Sequence, residues 1–188
     1  MFVLTAGAYL PSPLYPAYQG WFGLGDLAMT VVYATFALVS APALLLFGPA
    51  SDVLGPRPVL RASIAIAAAG SVCFALADGL VWLLGGRAAQ GVALGAATGA
   101  AGSLISERAR GRGGAVLASA AFLAGTAAGP IVGGVLAEYA PRPDVLPYAV
   151  HLVLLGWTWR RVSALTAGAA SGRRWVPTRP EIPRGMRM

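Results

Sequence analysis

A single arginine stands inside a long apolar run of this sequence. Arg87 lies eight residues after Gly79, within the run Leu80–Ile105, which contains no other charged residue. At about 1.5 Å per residue, a helix would place it about 12 Å from that glycine. An arginine this deep in a membrane costs about 2.5–3.5 kcal/mol and usually marks a substrate or proton path. The alternative is an arginine whose long stem carries the guanidinium to the membrane surface.

A second polar side chain follows one helical turn later. Gln90 comes three residues after Arg87, so the two side chains share one face of a helix. The segment continues with glycines at a spacing of four, a pattern that lets neighbouring helices approach closely; they are Gly91, Gly95 and Gly99. These glycines follow no predicted strand, which excludes a dinucleotide-binding loop.

The composition of the chain indicates whether Arg87 and Gln90 lie in a membrane or in a soluble protein. The 188 residues are 57% hydrophobic and 11% charged, with a mean hydropathy of +0.68. Soluble domains carry about 25% charged residues, and several uncharged runs here reach the roughly 18 residues of a membrane span. The sequence therefore predicts a polytopic membrane protein with the lipid bilayer as a partner.

Apolar runs predict an all-α bundle of six transmembrane helices. Their bounds are residues 2–18, 27–47, 59–77, 80–105, 114–137 and 145–159, and the last ends at a pair of arginines. They form one predicted domain over residues 1–170, and a basic, proline-rich tail or linker follows over residues 171–188. The first run contains Pro11, Pro13 and Pro16. The carbonyls that prolines leave unpaired are tolerated at depth only beside protein or water.

The arginines predict the orientation of the chain. All 14 basic residues are arginines; Arg87 lies within a span and Arg142 falls alone on one side. The other side holds Arg57, Arg61, Arg108, Arg110, Arg112, Arg160, Arg161, Arg173, Arg174, Arg179, Arg184 and Arg187. Because arginine-rich loops stay in the cytoplasm, both termini are predicted to be cytoplasmic, with the chain in the plasma membrane. The same distribution accounts for the net charge of +7 without nucleic acid as a partner.

The fifth run contains a dense glycine and proline pattern. It reads GTAAGPIVGG, with Gly125, Gly129, Pro130, Gly133 and Gly134 at its defined positions. Proline removes a backbone donor and bends a helix, while the flanking glycines permit tight packing. The alternative is that glycine and proline are simply common in membrane helices.

A polar loop separates the second run from the third. It reads GPASDVLGPRPVL and contains Gly48, Asp52, Gly55 and Arg57. Asp52 is predicted to cap the next helix or to pair with Arg57 or Arg61. The alternative is an ordinary turn between two spans.

These three segments together resemble the signatures of the major facilitator superfamily of transporters. Residues 87–91 resemble its fourth-helix motif R-x-x-Q-G, which is linked there to proton coupling. Residues 125–134 are similar to the pattern G-x-x-x-G-P-x-x-G-G of its drug–proton antiporters. Residues 48–57 resemble its loop signature G-x-x-x-D-R/K-x-G-R-R/K, with Val53 and Pro56 where the family has basic residues.

The resemblance implies a function and a set of partners. It implies the N-terminal six-helix half of a transporter, built from two inverted three-helix units and exporting a small molecule in exchange for protons. Arg87 and Gln90 would couple protons, and the loop at Gly48, Asp52, Gly55 and Arg57 would gate. A second copy or a separate C-terminal half would complete the substrate path. The alternative is a non-transporting membrane fragment or partner subunit from a disrupted transporter gene.

Further candidates line the proline-rich first run and the sixth run. Tyr9, Ser12 and Tyr15 lie beside the prolines and are predicted to line a substrate path, together with His151. His151 either relays protons or forms a hydrogen bond to a neighbouring helix. The sequence contains no hydrolase triad, paired carboxylates or metal-ligand spacing, so it predicts no enzyme, no cofactor and no metal site.

Overall fold

The computed structural model describes residues 1–47, 50–108 and 112–164, and within its helices it describes a few residues, Asp52 among them, by the backbone alone. Gly48 and the predicted tail at residues 171–188 lie outside the described residues. Every regular element in the described ranges is helical, so the predicted all-α class is confirmed.

Eight α-helices and one 3₁₀ turn make up the described part of the chain. They are α1 (Phe2–Tyr9), the 3₁₀ turn (Ser12–Leu14), α2 (Tyr15–Phe22), α3 (Asp26–Phe47), α4 (Ala50–Leu54), α5 (Pro56–Ala75), α6 (Leu80–Arg108), α7 (Arg112–Tyr139) and α8 (Leu146–Ser163).

Glycine and proline set several of the helix ends. Gly23 has a φ of 61°, a left-handed conformation that glycine adopts without strain, and it ends α2. Gly55 has a φ of 85° and precedes Pro56, the first residue of α5, where a missing N–H is not needed. The first predicted span is divided because Pro11 cannot continue α1 as a donor.

One predicted turn and two predicted bounds differ from the helices of the structure. The loop from the second to the third run contains a short helix, α4, instead of a simple turn. The helix that follows it begins at Pro56, earlier than the predicted residue 59. The last helix does not end at its arginine pair: α8 continues through Arg160 and Arg161 to Ser163, because basic side chains stabilise the final turn of a helix.

The α6 helix lies at the centre of the bundle. It packs along α3 on one side and α5 on the other, α5 also packs against α8, and α1 packs against α7. Among the described residues, four helices are long and apolar enough to cross a membrane: α3, α5, Leu80–Gly102 of α6 and Val116–Tyr139 of α7. The count of six spans therefore stays a prediction.

Two apolar clusters fill the bundle. One contains Leu4, Ala67, Ala93 and Leu155, and the other contains Leu10, Phe74, Leu83 and Tyr148. Each of α5, α6 and α8 contributes to both clusters, whereas α1 contributes to the first and Leu10, directly after α1, to the second. Between the two clusters, three of these helices carry buried polar side chains that we call the polar layer; they are Ser71, Arg87, Gln90 and His151.

Candidate functional site

The break in α1 leaves a backbone carbonyl without its helical donor. A helix would pair the Gly7 carbonyl with the N–H of residue 11, and Pro11 has none. A helix would likewise pair the Ala8 carbonyl with the N–H of Ser12, where a 3₁₀ turn has already replaced the α-helix. Buried carbonyls require a donor from elsewhere, because leaving one unpaired costs about 1–3 kcal/mol.

Side chains of α6 supply these donors. Gln90 donates through Nε2 to the Gly7 carbonyl at 2.9 Å, and Arg87 donates through Nη1 to the Ala8 carbonyl at 2.5 Å. Arg87 Nη1 also lies 3.0 Å from Gln90 Oε1, so the two side chains share one face. Arg87 is 3% exposed and Gln90 is 2% exposed. The broken helix and the polar pair of α6 therefore form one hydrogen-bonded site.

Aromatic rings surround the Arg87 guanidinium. Its central carbon lies 4.9 Å from the ring centroid of Tyr15, 5.5 Å from that of Phe36 and 5.9 Å from that of Phe74. Ring faces attract a cation that water no longer solvates. Arg87 Nε and the Tyr15 hydroxyl are buried without a hydrogen-bond partner. The ion pair found among the described side chains joins Arg142 to Asp144, so Arg87 meets no described carboxylate.

His151 occupies the same layer on α8. Its Nδ1 lies 2.7 Å from the Ser71 hydroxyl oxygen of α5, and its Nε2 lies 3.2 Å from the Val3 carbonyl oxygen of α1. The ring also lies against Gly7, where any Cβ would overlap it. The predicted bond to a neighbouring helix is present, and it involves two helices.

The glycine pattern of α7 faces the backbone of α1. A Cβ added to Gly125 would lie 2.7 Å from the Phe2 carbonyl oxygen, and Gly129 and Gly133 meet the carbonyls of Ala6 and Leu10 in the same way. Gly134 differs, because its nearest neighbour is the Pro13 ring at 3.7 Å. Pro130 lies inside the helix, which continues through it. At three of the four positions, glycine is thus explained by close packing against α1, which leaves no room for a Cβ.

The loop residues lie at one end of the bundle. Arg57 donates to the carbonyl of Ser163 at the end of α8, and Arg61 lies over the Trp159 ring at 4.5 Å. Gly55 supplies the positive φ before α5. The side chain of Asp52 lies outside the described residues, so its predicted pairing stays a prediction.

The four predicted substrate-path residues lie in different surroundings, and their role stays a prediction. Tyr15 and His151 are buried, at 2% and 4% exposure, and Tyr9 packs edge-on against Phe36 at 6.0 Å. Ser12 is partly buried in the 3₁₀ turn. A cavity of about 270 Å³ is lined by other residues; they are Tyr18, Trp21, Phe22, Phe74, Ala75, Ala77 and Asp144.

Comparison with known proteins gives the family. The model of the Major Facilitator Superfamily matches residues 1–179 of the chain. The chain belongs to the major facilitator superfamily. A curated relative, the tetracycline resistance protein, class D, of Salmonella ordonez, is 36% identical over 139 residues, which are 71% of this chain and 33% of the relative. The chain spans about one third of the length of that relative.

Membership in the major facilitator superfamily confirms two predictions. The chain is a multi-pass membrane protein of a transporter family, and it is not an enzyme. The roles assigned to the coupling pair, the loop and the antiporter pattern stay predictions. Sequence reasoning missed Ser71 and the α1 carbonyls of Val3, Gly7 and Ala8. One signal pointed to the Gly7 carbonyl, namely a proline at the fourth position after it.

Proposed function

We propose that this chain supplies a six-helix unit of a proton-coupled exporter of small molecules, with Arg87 and Gln90 as its coupling site. The observation that supports it is a buried positive charge with no described carboxylate beside it. A neutral donor would satisfy the Ala8 carbonyl as well, just as Gln90 satisfies the Gly7 carbonyl. Since an unpaired buried charge is costly, a step that uses the charge is the better explanation for an arginine here.

The bonds of Arg87 suggest how such a charge acts. The guanidinium holds α1 through the Ala8 carbonyl while α7 approaches the opposite side of α1 through its glycines. A proton or charged substrate near Arg87 would change the balance between its carbonyl, amide and ring contacts. The broken helix would then move relative to α6, and this movement is the proposed link between proton binding and transport.

The loop residues are proposed to act as a gate of the transport path. Arg57 joins the start of α5 to the end of α8, so a displacement of the loop at Gly48, Asp52, Gly55 and Arg57 is passed to a helix that carries part of the polar layer. The antiporter pattern at Gly125, Gly129, Pro130, Gly133 and Gly134 would let α7 shift along α1 during the same cycle.

The proposed topology has six spans and two inverted three-helix units, with both termini cytoplasmic. Arg57 and Arg61 at the start of α5 lie at the same end of the bundle as Arg160 and Arg161 at the end of α8. Arg142 and Asp144 lie in the segment between α7 and α8, at the opposite end. This separation supports a plasma-membrane orientation with the arginine-rich end inside.

A second six-helix unit is proposed to complete the substrate path, since sites in such transporters lie between repeats. It would be a further part of the same polypeptide, a separate chain or a second copy of this one. The relative named for tetracycline resistance makes tetracycline the first substrate to test.

The test is efflux from cells that express the chain with its second unit. Cells loaded with labelled tetracycline should lose it at a rate that falls when the proton gradient is collapsed. Arg87→Gln keeps a donor and removes the charge, and it should lower gradient-driven efflux by about 5–150-fold, the effect of losing about 1–3 kcal/mol of coupling. Arg87→Lys should retain part of the activity.

Arg142→Gln is the matched control, because Arg142 is an exposed arginine paired with Asp144. It should leave efflux close to the unmodified rate. Efflux that ignores the proton gradient, or an Arg87→Gln variant as active as this control, would contradict the proposed function.

A further inference from the structure

The chain contains one histidine, and its two ring nitrogens meet different kinds of partner. Nε2 faces the carbonyl oxygen of Val3 at 3.2 Å. A carbonyl oxygen only accepts hydrogen bonds, so Nε2 must carry a hydrogen whether the ring is neutral or charged. Protonation of His151 therefore concerns Nδ1 alone.

The Ser71 hydroxyl has two partners for one hydrogen. Its oxygen lies 2.7 Å from His151 Nδ1 and 3.2 Å from the carbonyl oxygen of Ala67, one turn earlier on α5. When the imidazole is neutral, Nδ1 is an acceptor and the hydroxyl donates to it. When Nδ1 carries a hydrogen, the same hydroxyl oxygen accepts from Nδ1 and its own hydrogen turns to Ala67.

We propose that His151 is a proton-binding site in the polar layer, with Ser71 as the switch that accommodates both of its charge states. A proton taken up from water adds to Nδ1, the hydroxyl hydrogen rotates without being transferred, and Nε2 keeps its bond to Val3. No heavy atom has to move, and no donor is left without an acceptor in either state. A buried histidine without such a second arrangement would leave a donor unpaired in its charged form, and this is costly.

The groups around the imidazole are mostly uncharged. From α1 it meets Val3 and Gly7, and from α5 it meets Ser71, which in turn bonds Ala67. The ionisable residues of α7 are at its two ends, Arg112 at the start and Glu138 and Tyr139 at the close. On α8 itself, Tyr148 bonds Tyr18 at 2.7 Å, and Arg160 is nine residues from His151, about 13.5 Å along the helix.

Arg87 of α6 is the nearby fixed charge. It bonds the carbonyl of Ala8, the residue after the Gly7 that contacts the imidazole, and Gln90 bonds the carbonyl of Gly7 itself. Adjacent residues of α1 therefore meet the fixed cation and the group that gains a charge. In the proposed transporter, a proton bound at His151 places a second positive charge near Arg87, and the two charges repel each other. This step alone rests on the proposed function.

Nuclear magnetic resonance of the chain in lipid nanodiscs, with isotope-labelled histidine, tests the proton site directly. A single histidine gives a single pair of ring-nitrogen signals. We expect a hydrogen on Nε2 and a hydrogen-bonded, unprotonated Nδ1 at pH about 8, and a second hydrogen on Nδ1 at a pH between about 8 and 4, with the helices still folded. A hydrogen on Nδ1 alone, or a ring that stays neutral until the helices unfold, would overturn the proposal.

Ser71→Ala tests the switch. It removes the acceptor for the charged ring, so the signal of the doubly protonated ring should be reduced or lost at a pH where the unmodified chain shows it. Ser71→Thr keeps the hydroxyl and should restore the signal. Ser63→Ala is the matched control, since Ser63 is also buried on α5 and bonds its own helix at Val59. A Ser71→Ala chain that titrates like Ser63→Ala would overturn the proposal, and a Ser71→Thr chain that titrates like Ser71→Ala would do so as well.

The resonance experiment and the efflux experiment fail separately. A chain that protonates at His151 while the assembled protein carries no gradient-driven flux contradicts the proposed function and supports the proton site. Gradient-driven flux with an imidazole that stays neutral contradicts the proton site and leaves the proposed function standing.

Discussion

Two helix pairs in this bundle are joined by glycines, and they make different kinds of contact. Along α6, Gly91 and Gly95 face α3, where added Cβ atoms would lie 2.9 Å from the Phe36 carbonyl oxygen and 2.5 Å from that of Ser40. Along α7, three glycines face the carbonyls of α1 at the same spacing of four. In both pairs, the missing side chains let one backbone rest on another.

The difference lies in the helix that receives the glycines. The α3 helix is continuous over 22 residues, and only 11% of its most apolar stretch is buried within the chain. The α1 helix has 8 residues, ends before Pro11 and lies between α6, α7 and α8. A crowded contact to α3 can relax by moving that helix outward, whereas α1 is packed between α6, α7 and α8 and has less room to move. The same glycine spacing therefore packs α6 against a helix that can move outward, α3, and confines α1 against α7.

The largest effect is expected at the confined contact. Gly133→Ala places a Cβ against the Leu10 carbonyl, a backbone atom that cannot turn aside. The loss of stability should reach or exceed the usual overpacking range of about 1–3 kcal/mol. Thermal unfolding of the chain in nanodiscs, followed by a thiol dye at the single, partly buried Cys73, measures it.

Gly134→Ala is the control for this change, because the next residue of the same motif has only ordinary contact with Pro13 at 3.7 Å. It should be neutral or slightly stabilising, since alanine favours a helix over glycine by up to about 1 kcal/mol. Equal losses at the two positions would show that the motif does not act through the α1 contact.

A smaller loss is expected at the contact that can relax. Gly95→Ala also adds a Cβ against a carbonyl, that of Ser40, but outward movement of α3 should keep the loss below that of Gly133→Ala. Gly85→Ala, whose nearest neighbour is the Cys73 sulfur at 4.0 Å, is the control on the same helix. The same unfolding assay applies, with a dye-independent probe for the Gly85 variant. A Gly95→Ala loss as large as that of Gly133→Ala would remove the distinction between the two pairs.

A third change tests the hydrogen bonds that α6 side chains donate to the carbonyls of α1. Gln90→Leu leaves the Gly7 carbonyl buried without a donor, and this should cost about 1–3 kcal/mol of stability. Thr98→Val is the matched loss on α6, because Thr98 bonds its own helix at Leu94 and leaves a carbonyl that still has its helical donor. Denaturant unfolding of both variants should separate them, and similar small losses would mean that Gly7 finds another donor.

The smallest expected effect is a partial recovery of stability when a second change is added to Gln90→Leu. Leu10 and Pro11 already have helical dihedral angles, so Pro11→Ala would direct an N–H at the Gly7 carbonyl. It should recover part of the Gln90→Leu loss, with a coupling of about 0.5–3 kcal/mol in a double-mutant cycle. Additive effects of the two changes would show that the proline is not the reason for the bond.

The sequence allowed much of the scaffold to be predicted. Apolar runs bounded by glycine, proline and arginine located the long helices, and the start of α6 at Leu80 agrees with the predicted start of the fourth run. The end of α8 differs from the prediction, because its charged pair limits the apolar run but not the helix, which continues past it. Helix ends depend on local capping and solvation, which hydropathy does not record.

The site was predictable only within one helix. A spacing of three residues is enough to place Arg87 and Gln90 on one face, and the structure joins them at 3.0 Å. Nothing in that spacing tells which helix they meet, and the bonds to α1 follow from packing between residues about 80 positions apart. The pairing of His151 with Ser71 was beyond reach for the same reason.

The hydrogen bonds that α1 receives from α6 also bear on how the helices assemble during synthesis. The α1 helix is made before α6, yet the donors for its Gly7 and Ala8 carbonyls belong to α6, about 80 residues later. We expect α1 to remain at the insertion machinery until residue 90 has entered the bilayer, and cross-linking of stalled nascent chains would measure this. The α1 helix, made before α6, would thus be completed only after α6.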